Sequence, residues 1–95
     1  MKIWLDDLRS APLGYVAVKS VNQAIELIKK AEAESICIEI LDLDHDLGDF
    51  CNDGGDAIKL LDWLVERGTF YPVRLHTANP VCRANMERML ARYWK

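Results

Sequence analysis

The sequence has few of the residues that mark several specialised protein classes. Its three cysteines, Cys37, Cys51 and Cys82, are an odd set without C-x-x-C spacing, which argues against a disulfide framework or a zinc knuckle. Five glycines, three prolines and no repeated or low-complexity tract argue against a fibrous or disordered chain. No apolar run approaches the length of a signal sequence or a membrane span. We therefore expect a reduced, cytoplasmic protein that has no membrane partner.

Positive charge is also scarce. The 15 acidic residues outnumber the 12 lysines and arginines, and the formal net charge is -3. Proteins that bind duplex DNA rely on lysine and arginine to neutralise phosphates, so no duplex DNA partner is expected. Aspartates concentrate between Asp42 and Asp56, whereas arginines are frequent near the carboxyl end. This segregation predicts a cation site that faces a basic helix.

The length and the apolar pattern predict one α/β domain over residues 1–95. Strands are predicted over residues 3–5, 15–18 and 36–43, and a fourth includes Val73, Leu75 and Thr77. Ser20 is the expected N-cap of a first helix that runs to about residue 34. A second helix is predicted over residues 56–67, closed by Gly68 as the C′ residue. Asn79 followed by Pro80 begins a third.

This order of elements predicts a small, open, mainly parallel four-stranded sheet flanked by three helices. The apolar segment 36–43 is expected to be the central strand, buried on both faces. The direction of the second strand stays open, because residues 6–14 can span either a parallel or an antiparallel connection. The fourth strand is expected at an exposed edge that needs a cover or a partner, and a homodimer is one solution.

Polar residues follow three of the predicted strands, where open parallel sheets bind ligands. The carboxylates among them are expected to hold Mg²⁺ or another hard divalent cation, which prefers oxygen ligands. The expected metal ligands are Asp6, Asp7, Asp44 and Asp46. The alternative is that each aspartate simply ends a strand or caps a turn.

Both histidines of the chain, His45 and His76, also follow predicted strands. A histidine can act as general acid or general base at neutral pH, so both are catalytic candidates. If the third and fourth strands are neighbours, the two imidazoles can approach each other. The alternative is that each ring only hydrogen bonds to a loop.

The start of the third helix is predicted to bind an anion. Residues 79–83 are expected to offer free backbone N–H groups and the positive end of the helix dipole. Thr77 and Asn79 are expected to hold phosphate oxygens, and Arg83 to clamp a phosphate. The alternative for Arg83 is a solvated position on an amphipathic helix.

Three segments, WLDDLR, LDHDLG and HTANP, resemble motifs of the cyclic-phosphate processing receiver domains, relatives of two-component receiver domains. In receivers an acidic pair and the aspartate that ends strand three hold Mg²⁺, and that aspartate accepts a phosphoryl group. The resemblance places Asp6 and Asp7 at the acidic pair, Asp44 at the acceptor and Thr77 at the hydroxyl position. Asp42, which lies within the strand, is the competing acceptor.

The resemblance implies a truncated receiver fold of the flavodoxin-like type. It also implies hydrolytic processing of a cyclic phosphate, so the expected partner is a small phosphorylated ligand or an RNA end. A receiver-like module that binds without catalysis is the first alternative. An aspartate phosphoacceptor is the least favoured, because the predicted elements include neither a fifth strand with its lysine nor a helix between the first two strands.

Overall fold

The computed structural model describes residues 1–94, and Lys95 lies outside the described residues. Its elements are β1 (Lys2–Leu5), β2 (Tyr15–Val18), α1 (Val21–Ala33), β3 (Ile40–Leu43), a short 3₁₀ helix (Gly48–Asn52), α2 (Ala57–Arg67), β4 (Val73–Leu75) and α3 (Pro80–Tyr93). All four strands are parallel, in the order β2-β1-β3-β4. The predicted α/β architecture is confirmed, and β2 takes the parallel direction. None of the helices in residues 1–94 is both long and apolar enough to cross a bilayer.

One face of the sheet forms the hydrophobic core. The register pairs Ile3 with Leu41 and Leu5 with Leu43, and all four side chains are fully buried. The buried apolar residues of the three helices belong to the same cluster as these strand residues. Because side chains alternate between the two faces of a strand, the three helices pack on this one face.

The opposite face of the sheet carries aromatic and charged side chains instead of a hydrophobic core. Trp4 of β1, Asp42 of β3 and Arg74 of β4 form one row across it, in register. No helix within residues 1–94 adds a buried apolar side chain there. Asp42 occupies the second face of β3 and is only 3% exposed, so the central strand is buried on both faces as expected, with a carboxylate in place of an apolar side chain on the second face.

The central strand is shorter than predicted. Its first residue, Ile40, pairs with Lys2 at the start of β1, so the preceding residues have no neighbour in β1. Ile36 instead completes the end of α1, after Ser35 with its φ of 58°, because its N–H donates to the carbonyl of Ala31. The Glu39 N–H donates to the carbonyl of Met1, which precedes β1. The apolar run alone predicted a longer strand, because hydrophobic periodicity carries no information about where the partner strand begins.

The predicted ends of the helices are confirmed. Ser20 Oγ accepts a hydrogen bond from the Gln23 N–H at 3.1 Å and donates to Asp53 Oδ2 at 2.6 Å. The loop that precedes α2 is thereby held against the start of α1. Gly68 ends α2 with a φ of 67°, a left-handed conformation that glycine adopts without strain.

A polar cluster joins α1 to α2 and to the segment before β4. The Glu32 carboxylate accepts hydrogen bonds from Arg67, at 2.6 Å, and from the Tyr71 hydroxyl. These two bonds lower the pKa of Glu32, although partial burial opposes them. Burial and the neighbouring Glu32 carboxylate raise the pKa of Tyr71 to about 12. The cluster is most favourable when Glu32 is ionised and Tyr71 is protonated.

Candidate functional site

A cavity of about 340 Å³ opens beyond the carboxyl ends of β1, β3 and β4. This is the edge of the sheet where the sequence predicted a site. Its lining comprises Asp6, Asp7, Leu8, Arg9, Asp44, Asp46, Gly48, Thr77, Ala78 and Asn79. The volume lies at the lower end of the range for pockets that bind small ligands.

Three carboxylates form a compact cluster in this cavity. Asp6, Asp7 and Asp44 each offer an oxygen, and these oxygens lie within 4.8 Å of one another. Asp6 and Asp44 are only 3% and 8% exposed. Asp46 also lines the cavity, but its side chain is 65% exposed and it is not part of this cluster. The structure thus brings three of the four predicted metal ligands together.

The two buried carboxylates of the cluster differ in acidity. Burial alone would raise the pKa of Asp6, but hydrogen bonds from Arg9, Leu8 and His76 together lower it below its ordinary value. Burial and the negative charge of Asp6 raise the pKa of Asp44, against the opposing effects of Thr77, the His45 N–H and Arg9. A cation beside Asp44 would relieve this electrostatic strain.

Arg9 is a site residue that the sequence reasoning missed. Its backbone N–H donates to Asp6 Oδ1 at 2.9 Å, forming a turn that returns the side chain to the cavity. The guanidinium lies 3.2 Å from Asp6 Oδ2 and 3.7 Å from Asp44 Oδ2, and it is 50% exposed. It is the single basic residue of the described lining. Its position shortly after an acidic pair was the available signal.

His76 lies between two buried carboxylates. Its Nδ1 is 2.6 Å from Asp42 Oδ1 and its Nε2 is 3.0 Å from Asp6 Oδ2. The ring stacks on Trp4 with a centroid distance of 3.9 Å and an interplanar angle of 5°. Strand alternation explains the grouping, because Trp4 and Asp42 project from the same face of the sheet. Both ring nitrogens are therefore occupied in holding carboxylates.

His45 has different surroundings. Its Nδ1 lies 3.0 Å from Asp46 Oδ1 and its Nε2 lies 3.6 Å from Asp56 Oδ2. Its backbone carbonyl accepts a hydrogen bond from the N–H of Ala57, at the start of α2. The structure therefore gives the two histidines separate partners, and neither lines the cavity. Their roles as general acid and base stay a prediction.

The predicted anion site at the start of α3 has fewer free donors than expected. Asn79 Oδ1 accepts hydrogen bonds from the N–H groups of Val81 and Cys82, at 3.0 and 3.2 Å. The Asn79 N–H itself donates to Thr77 Oγ1 at 3.3 Å. The prediction of free N–H groups at these residues is wrong, because the asparagine that caps the helix uses them. Thr77 and Asn79 line the cavity, and their role as phosphate ligands stays a prediction.

Arg83 is not among the residues that line the cavity. Its Nε donates to Glu87 Oε1 at 2.8 Å, one helical turn further along α3. Its terminal nitrogen donates to the carbonyl of Leu75 at 3.4 Å. The guanidinium in the cavity belongs to Arg9 instead. A phosphate clamp formed by Arg83 stays a prediction.

Gly48 permits the loop after β3 to approach the acidic cluster closely. Its φ is 55°, and a Cβ at this position would lie 2.6 Å from Asp7 Oδ2. Any other residue would strain the backbone and displace the Asp7 carboxylate. The glycine of the LDHDLG segment therefore helps to define the cavity.

The comparisons with known proteins give one family and no individual relative. Neither the curated proteins nor the solved structures contain a significant match to the chain. The model of the cyclic-phosphate processing receiver domain matches residues 1–92, which include every site residue described above. The chain therefore belongs to the family of cyclic-phosphate processing receiver domains.

Proposed function

We propose that the protein binds, in this cavity, a small ligand or RNA end that carries a cyclic phosphate. We propose further that it opens the cyclic phosphate by hydrolysis. The observation that carries this proposal is the position of Arg9 beside the carboxylates of Asp6 and Asp44 in one cavity. A guanidinium offers donors to phosphate oxygens, and clustered carboxylates offer ligands to a cation that accompanies phosphate. The family name supports the same substrate class.

The residues present fit a hard divalent cation. The carboxylates of Asp6, Asp7 and Asp44 supply only oxygen donors, and the positive charge of Arg9 is insufficient to balance three of them. The pKa of Asp44 is raised, first by burial and then by the Asp6 charge, and a cation beside it would offset both effects. Mg²⁺ bound there would polarise a phosphoryl oxygen or lower the pKa of a water molecule.

The protein's own groups would position the phosphate. Arg9 is half exposed, so its guanidinium keeps donors that can face a ligand while it contacts Asp6. Thr77 lines the same cavity, and its single hydroxyl proton would be donated to a second phosphate oxygen in place of Asp44. His76 would act indirectly, because its Nε2 holds the Asp6 carboxylate in place.

A module that binds the ligand without turnover is the second candidate. It is favoured by the contacts of the histidines: His76 is occupied by Asp42 and Asp6, and His45 lies beside Asp46 and Asp56. Within residues 1–94 the cavity lining therefore contains no imidazole to transfer a proton. The two candidates predict the same binding residues and differ in product formation.

The test is incubation with a panel of 2′,3′- and 3′,5′-cyclic nucleotides in Mg²⁺, Mn²⁺ or chelator, followed by separation of the products. We expect ring opening that needs the metal. Arg9→Gln should lower kcat/KM by about tenfold to a hundredfold, the scale of a charge-assisted hydrogen bond. Arg88→Gln, at an exposed position on α3, is the matched control.

The outcomes separate the two candidates. Binding without product would support the module and reject hydrolysis. Loss of turnover with ligand binding retained in His45→Gln, or in His76→Gln with an unchanged Mg²⁺ affinity, would support the general acid–base prediction. Neither binding nor turnover of any member of the panel would contradict both candidates.

A further inference from the structure

A second group of metal-binding side chains lies beside the cavity. His45, at the end of β3, Asp46 and Cys82 of α3 each offer one donor atom, and these atoms lie within 4.8 Å of one another. The group contains three kinds of donor, an imidazole nitrogen, a carboxylate oxygen and a thiol sulfur. It shares no residue with the cluster of Asp6, Asp7 and Asp44.

The contacts around His45 resemble those of a metal-binding histidine. One ring nitrogen, Nδ1, lies 3.0 Å from Asp46 Oδ1, while the other, Nε2, lies 3.6 Å from the carboxylate of Asp56. Histidines that bind metals usually direct their second nitrogen toward a carboxylate or a carbonyl, which orients the ring. Asp56 is placed to do this for His45.

Asp56 also has an unsatisfied atom. It is the N-cap residue of α2, yet its side chain makes no capping hydrogen bond. Its Oδ1 is buried and has no hydrogen-bond partner within the part of the chain that the structure describes. A buried carboxylate oxygen without a partner is unfavourable. A cation close to His45 would compensate it.

The local charge points the same way. Within residues 1–94, the only salt bridges of Asp46 and Asp56 are those with His45. The two carboxylates beside His45 therefore have no lysine or arginine partner among the described residues.

The donor set determines which cation fits. Mg²⁺ prefers oxygen ligands, whereas thiolate and imidazole ligands are typical of Zn²⁺ and similar ions. We propose that His45, Asp46 and Cys82 bind a thiolate-preferring divalent cation such as Zn²⁺, with Asp56 orienting the histidine. A three-residue set leaves an open position, which protein zinc sites fill with water or a ligand. This site is separate from the oxygen-only cluster in the cavity.

The experiment titrates the full chain, freed of metal, with Co²⁺ as a spectroscopic probe. A thiolate-to-cobalt charge-transfer band should appear at one equivalent and disappear when Zn²⁺ is added. Cys82→Ser should abolish the band, whereas Cys51→Ser, which alters an exposed cysteine, should retain it. Asp46→Asn should weaken Zn²⁺ binding by at least about tenfold, and its 65% exposed side chain makes a folding defect improbable.

Three results would overturn the proposal. They are the absence of the band in the unaltered chain, an equal band in Cys82→Ser, and a band that Asp6→Asn removes while Asp46→Asn retains it. The last result would place the ion in the acidic cluster. Circular dichroism on every variant identifies a folding defect, and His45→Gln gives an independent test if Cys82→Ser does not fold. None of these readouts depends on turnover of a cyclic phosphate.

Discussion

Replacing Asp44 by asparagine should stabilise the protein without metal and destabilise it with metal. The nearest oxygens of Asp44 and Asp6 lie within 4.8 Å, where two like charges repel by roughly 3 kcal/mol at an effective dielectric constant of 20. The variant also loses the attraction of Arg9, 3.7 Å from Asp44. At the same dielectric constant this attraction is at least as large as the repulsion, so the expected gain comes from removing the burial cost, which is the largest cause of the raised pKa of Asp44. We expect a gain of about 1 kcal/mol, or roughly 4–8 °C in Tm for a domain of this size.

Divalent cations should reverse this order. A ligand at a hundred times its Kd stabilises the folded state by about 2.7 kcal/mol, so saturating Mg²⁺ should raise the Tm of the unaltered protein well above its value in chelator. Asp44→Asn lacks one of the three carboxylates, so Mg²⁺ should raise its Tm only slightly. The assay is thermal unfolding followed by circular dichroism, in chelator and across a Mg²⁺ series. Asp62→Asn, at an exposed position on α2, is the control for loss of one negative charge.

The same variant gives a pH dependence with a defined sign. The pKa of Asp44 is raised in the folded state, first by burial and then by Asp6, so its ionised form reduces stability. This penalty is present at neutral pH and disappears as the pH falls through the folded pKa of Asp44. The advantage of Asp44→Asn in chelator should therefore shrink in acid. A lower Tm than that of the unaltered protein in chelator at neutral pH, or an undiminished Mg²⁺ response, would refute the reasoning.

Three further predictions concern the surroundings of the site and the core. His76→Ala leaves Asp42 with an unpaired buried carboxylate and should lower the free energy of unfolding in urea by about 3 kcal/mol or more; a loss below 1 kcal/mol would contradict the ion network. Gly48→Ala should cost about 1–2 kcal/mol, because it combines a positive φ with a 2.6 Å approach to Asp7. Gly48→Ala should also reduce the rise in Tm that Mg²⁺ causes. An unchanged rise would contradict this prediction. Glu32→Gln should cost about 1 kcal/mol at neutral pH, measured in urea. Since the folded pKa of Glu32 is lowered, the cost should vanish as the pH falls through it, and a pH-independent cost would exclude the proposed charge effect.

The sequence determined the local elements and the location of the site. The N-caps Ser20 and Asn79 and the left-handed Gly68 are encoded within a few residues, and the structure has all three where they were predicted. The acidic cluster was also predictable, because parallel strands bring the residues that follow them to one edge. This rule alone was sufficient to place Asp6 and Asp44 together at that edge.

Contacts between distant segments decided the rest. The sequence could not show that the three helices cover one face, which places Asp42 on the other face beside Trp4 and His76. Neither could it show that His45 contacts Asp46 and Asp56 without lining the cavity. Periodicity and capping act over a few residues and can be read along the chain, whereas the partner of a side chain depends on strand order, register and the packing of segments far apart in sequence.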